Sequence, residues 1–152
     1  MPDANLVKIL FRFHSDILDE VTVETMWARI VDLEKGYYKL DNIPFYVPSI
    51  ASGDIVFAEY DEDEEMLTYR ETIEYSCNST IHIILMDDEH EINSIRKIFE
   101  DMNCPSERLS EKYFALEIPF DVDYTDIKRK LIEMETDEVI SYAETCLSDN
   151  HR

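Results

Sequence analysis

A chain of 152 residues with 45% apolar content has enough side-chain volume for one ordinary core or two small ones, so it requires no disulfide or metal staple to fold. Against 14 Lys and Arg stand 35 Asp and Glu, a formal charge of −21 that repels nucleic acid and anionic membrane and draws basic partners. Cys77, Cys104 and Cys146 show no CxxC or Cys/His spacing, which excludes a zinc ribbon and a disulfide framework, and no stretch nears the roughly 20 apolar residues of a membrane span, so a cytoplasmic protein is expected.

In chain order, residues 6–13 (LVKILFRF) and 21–31 show the period-two alternation of half-buried strands, imperfect in the first because Leu6 and Leu10 share a face with Lys8 and Arg12. Residues 24–54 hold the sole tryptophan, Trp27, both glycines, Gly36 and Gly53, and two of the five prolines, so the sharpest backbone and packing demands fall there. Residues 37–40 and 43–47 read as short strands separated by the turn pair Asp41-Asn42, with Pro44 and Pro48 suited to an edge or a strand end. Residues 55–60 and 66–75 form a pair around an acidic loop. Six or so short strands in residues 1–75 predict a small β-barrel or a strongly bent antiparallel sheet.

The pattern changes in residues 76–152. Residues 79–86 (STIHIILM) form a nearly continuous apolar strand, as where both faces are covered. A helix follows with Ile92, Ile95, Ile98, Phe99 and Met102 at helical spacing and acids placed in its first turn. A hairpin is expected across Ser110 to Lys112, with residues 113–118 as its second strand. A second helix, capped by Asp123 or Thr125, carries Ile127, Leu131 and Met134. Residues 139–143 fit either a strand or a helix. The resulting order β-α-β-β-α-β is that of a ferredoxin-like half, packed with the first half as one α+β unit.

Residues that can carry chemistry are few. Asp121, Asp123 and Thr125 match the DxDxT spacing of haloacid-dehalogenase phosphatases, but only 27 residues follow, too few for the rest of that site, so a strand end and a capped helix is the expected reading. His14-Ser15-Asp16 has a triad's composition without its geometry. His82 alternates into a core face, and His90 stands among carboxylates that favour its imidazolium. Trp27, Tyr37, Tyr38, Phe45 and Tyr46 are expected in the core more than in a ligand-stacking cluster. No catalytic set, metal site or cofactor is indicated, and the chain is expected not to be an enzyme.

Glu24-Thr-Met-Trp-Ala28, Gly36-Tyr-Tyr-Lys-Leu-Asp-Asn-Ile-Pro-Phe45, Ile50-Ala51 and Gly53-Asp54-Ile-Val56 resemble a widespread bacterial family catalogued as domain of unknown function 4265. The likeness runs on through the acidic loop, Ser79-Thr80 and Asp121-Val-Asp-Tyr124. It implies bacterial origin and a single-unit fold, and brings no activity to transfer.

Function is therefore read from charge. Residues 1–60 hold 10 acidic and 5 basic residues, a net of −5, and residues 61–152 hold 25 and 9, a net of −16. This asymmetry predicts an acidic inhibitor, foremost an immunity protein that neutralises a basic toxin nuclease from a competing bacterium, without binding nucleic acid or membrane itself. The expected contact residues are Asp61, Glu62, Asp63, Glu64 and Glu65, with Asp87, Asp88, Glu89 and Glu91, and Tyr60 or Tyr69 as an aromatic anchor. A DNA mimic and a small-ligand or enzymatic domain are the alternatives.

Overall fold

The computed structural model describes residues 6–15 and 18–152, and the chain divides into two compact units, Met1–Ser76 and Cys77–Arg152. Among the described residues there are nine strands and two α-helices.

The first unit contains β1 (Leu6–Ser15), β2 (Glu20–Asp32), β3 (Tyr37–Leu40), β4 (Ile55–Asp61) and β5 (Met66–Glu74). Each is antiparallel to the next, and the sheet closes on itself where β5 meets β1 in a single parallel pair, Leu10 with Thr68. Alternation decides what lies inside. Ile9 and Phe11 of β1 meet Met26, Ala28, Tyr38, Leu40, Val56 and Ala58 in one buried cluster, with Val7 and Phe13 partly buried against it. Lys8 and Arg12 therefore point outward, and Leu10, which spoiled the sequence pattern, is buried at the junction with β5.

Residues 43–47 correct the sequence reading, since they form an irregular loop and not a strand. Pro44 has no N–H to give to a ladder, and the N–H groups of the next three residues turn to a carboxylate described below. The loop returns Val47 and Ile50 to the same core. Trp27 is a second correction. It stands 44% exposed on the outer face, with Lys8 Nζ 4.9 Å from its ring centre, because the inward positions of β2 are the even ones. Gly36, at φ +77°, sits so close to β4 that a Cβ would lie 2.9 Å from the Ala58 carbonyl oxygen.

The second unit contains β6 (Ser79–Leu85), α1 (Ile92–Glu100), β7 (Ser106–Arg108), β8 (Tyr113–Ile118), α2 (Tyr124–Thr136) and β9 (Ile140–Cys146). The strand order is β7-β8-β6-β9 with every neighbour antiparallel, so residues 140–146 resolve as a strand. Both helices share one core with the sheet: Ile92, Ile95 and Phe99 of α1 and Ile127, Leu131 and Met134 of α2 pack with Ile81, Ile83, Phe114 and Leu116. Asp123 caps α2, its Oδ1 accepting the Thr125 N–H at 2.9 Å. The expected acids in the first turn of α1 are absent, because the helix begins at Ile92, after the acidic run, and Glu91 caps it without a side-chain bond. His82 is buried, as the alternation required.

Cys104 lies in this core, and burial, aided by the Glu117 charge, pushes its thiol up to about 12. Iodoacetamide near pH 8, just below the ordinary thiol value of about 8.5, is expected to label exposed Cys77 and leave Cys104 unlabelled until denaturant is added. Peptide mass spectrometry reads the two sites separately, and equal labelling of both in the folded protein would contradict this packing.

Candidate functional site

The first acidic run forms the turn between β4 and β5, whose ladder ends at Asp61 opposite Met66. Asp61 organises it. Its Oδ1 accepts the N–H groups of Asp63 at 2.9 Å and Glu64 at 3.1 Å, and its Oδ2 accepts from Arg70 at 2.9 Å. The Arg70 guanidinium and then the Glu64 N–H hold the Asp61 carboxyl below the usual carboxylate range. Arg70 also takes Glu59 at 3.0 Å, and Arg12 of β1 pairs with Glu64. Of the five acids in the run, the structure commits Asp61 and Glu64 to shaping the turn, whereas Glu62, Asp63 and Glu65 make no ion pair among the described residues.

The two aromatic anchors part company. Tyr60 stands 61% exposed beside the turn. Tyr69 stacks on Phe11 with ring centres 4.8 Å apart and bonds Thr72 through its hydroxyl at 2.8 Å, so it belongs largely to the wall of the first unit.

The second acidic run precedes α1. His90 Nδ1 lies 2.7 Å from Asp87 Oδ2; desolvation opposes ionisation of Asp87, but the His90 ring and N–H outweigh it and hold the carboxyl low. Lys112 Nζ donates to the Asp87 carbonyl at 2.8 Å and to Asp88 Oδ1 at 3.0 Å. Glu89 and Glu91 remain exposed with no ion pair among the described residues. Each run is thus half neutralised by its own unit, a pairing that net charge alone does not reveal.

A hollow of about 470 Å³ opens at the start of α2, lined by Tyr124, Lys128, Glu144 and His151 among others. Tyr124 Oη donates to Glu144 Oε2 at 2.7 Å, and Lys128 Nζ lies 3.0 Å from Glu144 Oε1. Burial first and Glu144 second raise the Tyr124 phenol well above its ordinary value, so it serves as a neutral donor and not as a base. His151 is buried with Nε2 3.1 Å from the carbonyls of Pro119 and Val122. Two acceptors there place the proton on Nε2, so Nδ1 accepts from Ser79 Oγ at 2.6 Å, and that oxygen accepts the Ser148 N–H at 2.9 Å. Ser79 is fully buried with its hydroxyl saturated, which makes this Ser/His pair an anchor for residues 148–151 and not a nucleophile and base. Asp121 is exposed and Asp123 caps its helix, so the DxDxT spacing resolves into local structure. Exposed His14 lies 3.6 Å from Asp19. Among the described residues no three His, Cys, Asp or Glu are grouped to hold a metal ion, and no helix is long and apolar enough to cross a membrane.

One arrangement escaped the sequence reading entirely. Glu24 faces inward from β2, and its carboxylate accepts the N–H groups of Phe45 at 2.7 Å and of Tyr46 and Val47 at 3.0 Å. Asn42 Oδ1 accepts the Trp27 N–H at 2.7 Å, and buried Asp54 accepts those of Ala51 at 3.0 Å and Ser76 at 2.9 Å. Burial raises the Asp54 carboxyl above its ordinary value despite those bonds. Three acidic or amide side chains thus hold residues 42–54, where no ladder does. The sequence signal was an acid at an inward position of β2, which demands partners; nothing in the sequence announced His151.

Residues 24–142 match the model of a family described as Domain of unknown function (DUF4265). A crystal structure of a hypothetical protein from Neisseria gonorrhoeae superposes with a TM-score of 0.80 at 25% identity, over 93% of this chain and 94% of that one. No curated protein matches. Glu24, Asn42 and Asp54, whose side chains hold the 42–54 loop, are among the residues that carried the resemblance in the sequence.

Proposed function

We propose, for a chain that belongs to the family of Domain of unknown function DUF4265, a role as a non-catalytic inhibitor that binds a basic protein in the cytoplasm, foremost as an immunity protein that neutralises a toxin nuclease. The observation that carries this reading is the −21 charge together with a turn on which, among the described residues, Glu62, Asp63 and Glu65 make no ion pair, beside exposed Tyr60. A nuclease must hold phosphates with Lys and Arg, so an acidic turn of fixed shape has a complementary surface to occupy. Steering of this kind brings association to about 10⁸–10⁹ M⁻¹s⁻¹ at low salt. The first unit serves as a small β-barrel that presents the turn. For the second, the β7-β8-β6-β9 order with a helix after β6 and another after β8 supports a ferredoxin-like reading.

An affinity pull-down from native cells at low and at high salt is the test, with one stoichiometric, basic, nuclease-like partner as the expected result. Many weak partners that vanish together in salt would overturn it. Against a captured partner, the triple reversal Glu62→Lys, Asp63→Lys and Glu65→Lys is expected to slow association roughly tenfold or more at low salt and to flatten its salt dependence. Asp61 and Glu64 are left in place because Arg70 and Arg12 use them to hold the turn. Stopped-flow association rates across a salt series read the outcome, and unchanged rates would remove the turn from the interface.

A further inference from the structure

We propose that the open edge of β2 from Val21 to Thr25 receives an extended, lysine- or arginine-bearing segment of a partner protein as an added strand. The occupant's charge rests on the basic-partner reading above; the edge itself does not.

The direction of the backbone groups follows from two hydrogen bonds. Trp27 donates its N–H to Asn42 Oδ1 at 2.7 Å and accepts the Asp41 N–H at 2.9 Å, so its polar groups face away from β1. The β1–β2 register runs unbroken and antiparallel from Leu6 opposite Arg29 to Ser15 opposite Glu20. In such a ladder the orientation repeats at every second residue, which sends the N–H and C=O groups of Thr25, Val23 and Val21 the same way as those of Trp27. β3 pairs β2 only from Ala28 to Asp32. Among the described residues nothing pairs with the backbone of Val21, Val23 or Thr25 on that side.

Side chains at the same positions suit a partner strand. Val21 is 64% and Val23 48% exposed, in line with exposed Trp27 on the outer face. Edge strands are ordinarily blunted by Lys, Pro or a bulge. Residues 20–26 contain neither Lys nor Pro, and the register shift of β2 lies at Ile30 to Asp32, opposite β3. The inner face is fixed by the three N–H groups on Glu24, so the edge is preorganised and little ordering cost remains for a strand that joins it.

Charge selects the occupant. The edge ends at exposed Asp19 and Glu20, where, among the described residues, Asp19 pairs with the His14 ring alone, at 3.6 Å. A second copy would bring another −21 and the same two acids to this edge, whereas a cationic strand is attracted to both.

The test uses the full chain, isotope-labelled, with an alternating Lys–Val peptide of about eight residues, an ordinary strand length, as probe. Hydrogen exchange of the Val21, Val23 and Thr25 amides is expected to slow roughly tenfold or more with this peptide. The same peptide N-methylated at alternate residues is expected to give no protection, and neither is the Lys–Val peptide on Val23→Lys, a variant that guards the edge without touching the core. No slowing at these amides, or equal slowing by a Glu–Val peptide, would overturn the proposal. Slowing that rises with protein concentration alone would overturn it in favour of a second copy. Salt-sensitive capture of a basic partner that leaves these amides fast would sink the edge and spare the basic-partner reading; protection by the Lys–Val peptide without any captured basic partner would do the reverse.

Discussion

Glu24→Ala is expected to destabilise the first unit by about 2–3 kcal/mol, as much as a hydrogen-bonded charged group contributes when its partners are left without it. Three consecutive N–H groups, of Phe45, Tyr46 and Val47, converge on this carboxylate, and none of the three residues belongs to a strand. The loop then has two ways to respond, both costly. It keeps its course with donors unsatisfied, or it moves toward water and draws Val47 and Ile50 out of the core. For a unit of this size the loss lowers the melting temperature by roughly 10 °C or more. Glu24→Gln should fall between the two, since one amide oxygen still accepts while the NH₂ group faces a donor. Thermal melts of the three proteins decide the matter, and equal melting temperatures would mean that the loop is held without help from Glu24.

Gly36→Ala is expected to cost a similar amount for a different reason. The backbone at φ +77° carries a strain of about 1–3 kcal/mol for a residue with a side chain. A Cβ there would also stand 2.9 Å from the Ala58 carbonyl oxygen and 3.0 Å from the Phe57 ring. Ala58 donates its N–H to the Gly36 carbonyl at 3.0 Å, so strand β4 cannot retreat without giving up that bond. Gly36→Asn separates the two contributions. Asn tolerates a positive φ better than Ala but brings the same Cβ, so it should recover only part of the loss in urea unfolding. Full recovery would show that conformation, not contact, reserves this position for glycine.

Much of the framework was legible because it rests on period. The alternation in β1 and β2, the apolar run of β6 and the helical spacing of α1 and α2 each point to the face that is buried. Asp123 was one of two candidate caps, and the cap fixed the start of α2. What stayed hidden depends on contacts between residues far apart in the chain. No local pattern tells that Arg12 will meet Glu64, that His151 will meet Ser79, or that Glu24 will gather a loop some twenty residues onward. Residues 43–47 misled for the same reason: their composition is that of a strand, and a distant carboxylate outcompeted a ladder for their N–H groups. The acidic turn was visible as a run of charge, while its division into supporting and unpaired members required the positions of Arg12 and Arg70.

The ring of the first unit is joined at β1 and β5 by one backbone pair, fewer than at any of its other joints. Two side-chain rivets flank it, the Phe11–Tyr69 stack and the Arg12–Glu64 ion pair, the second of them on exposed Arg12. An exposed ion pair yields to salt and to competing cations, whereas a stack of rings does not. The acidic turn is thereby also the clasp of the ring, and any cationic surface that takes Glu64 from Arg12 bears on the closure of the sheet as well as on the turn it touches.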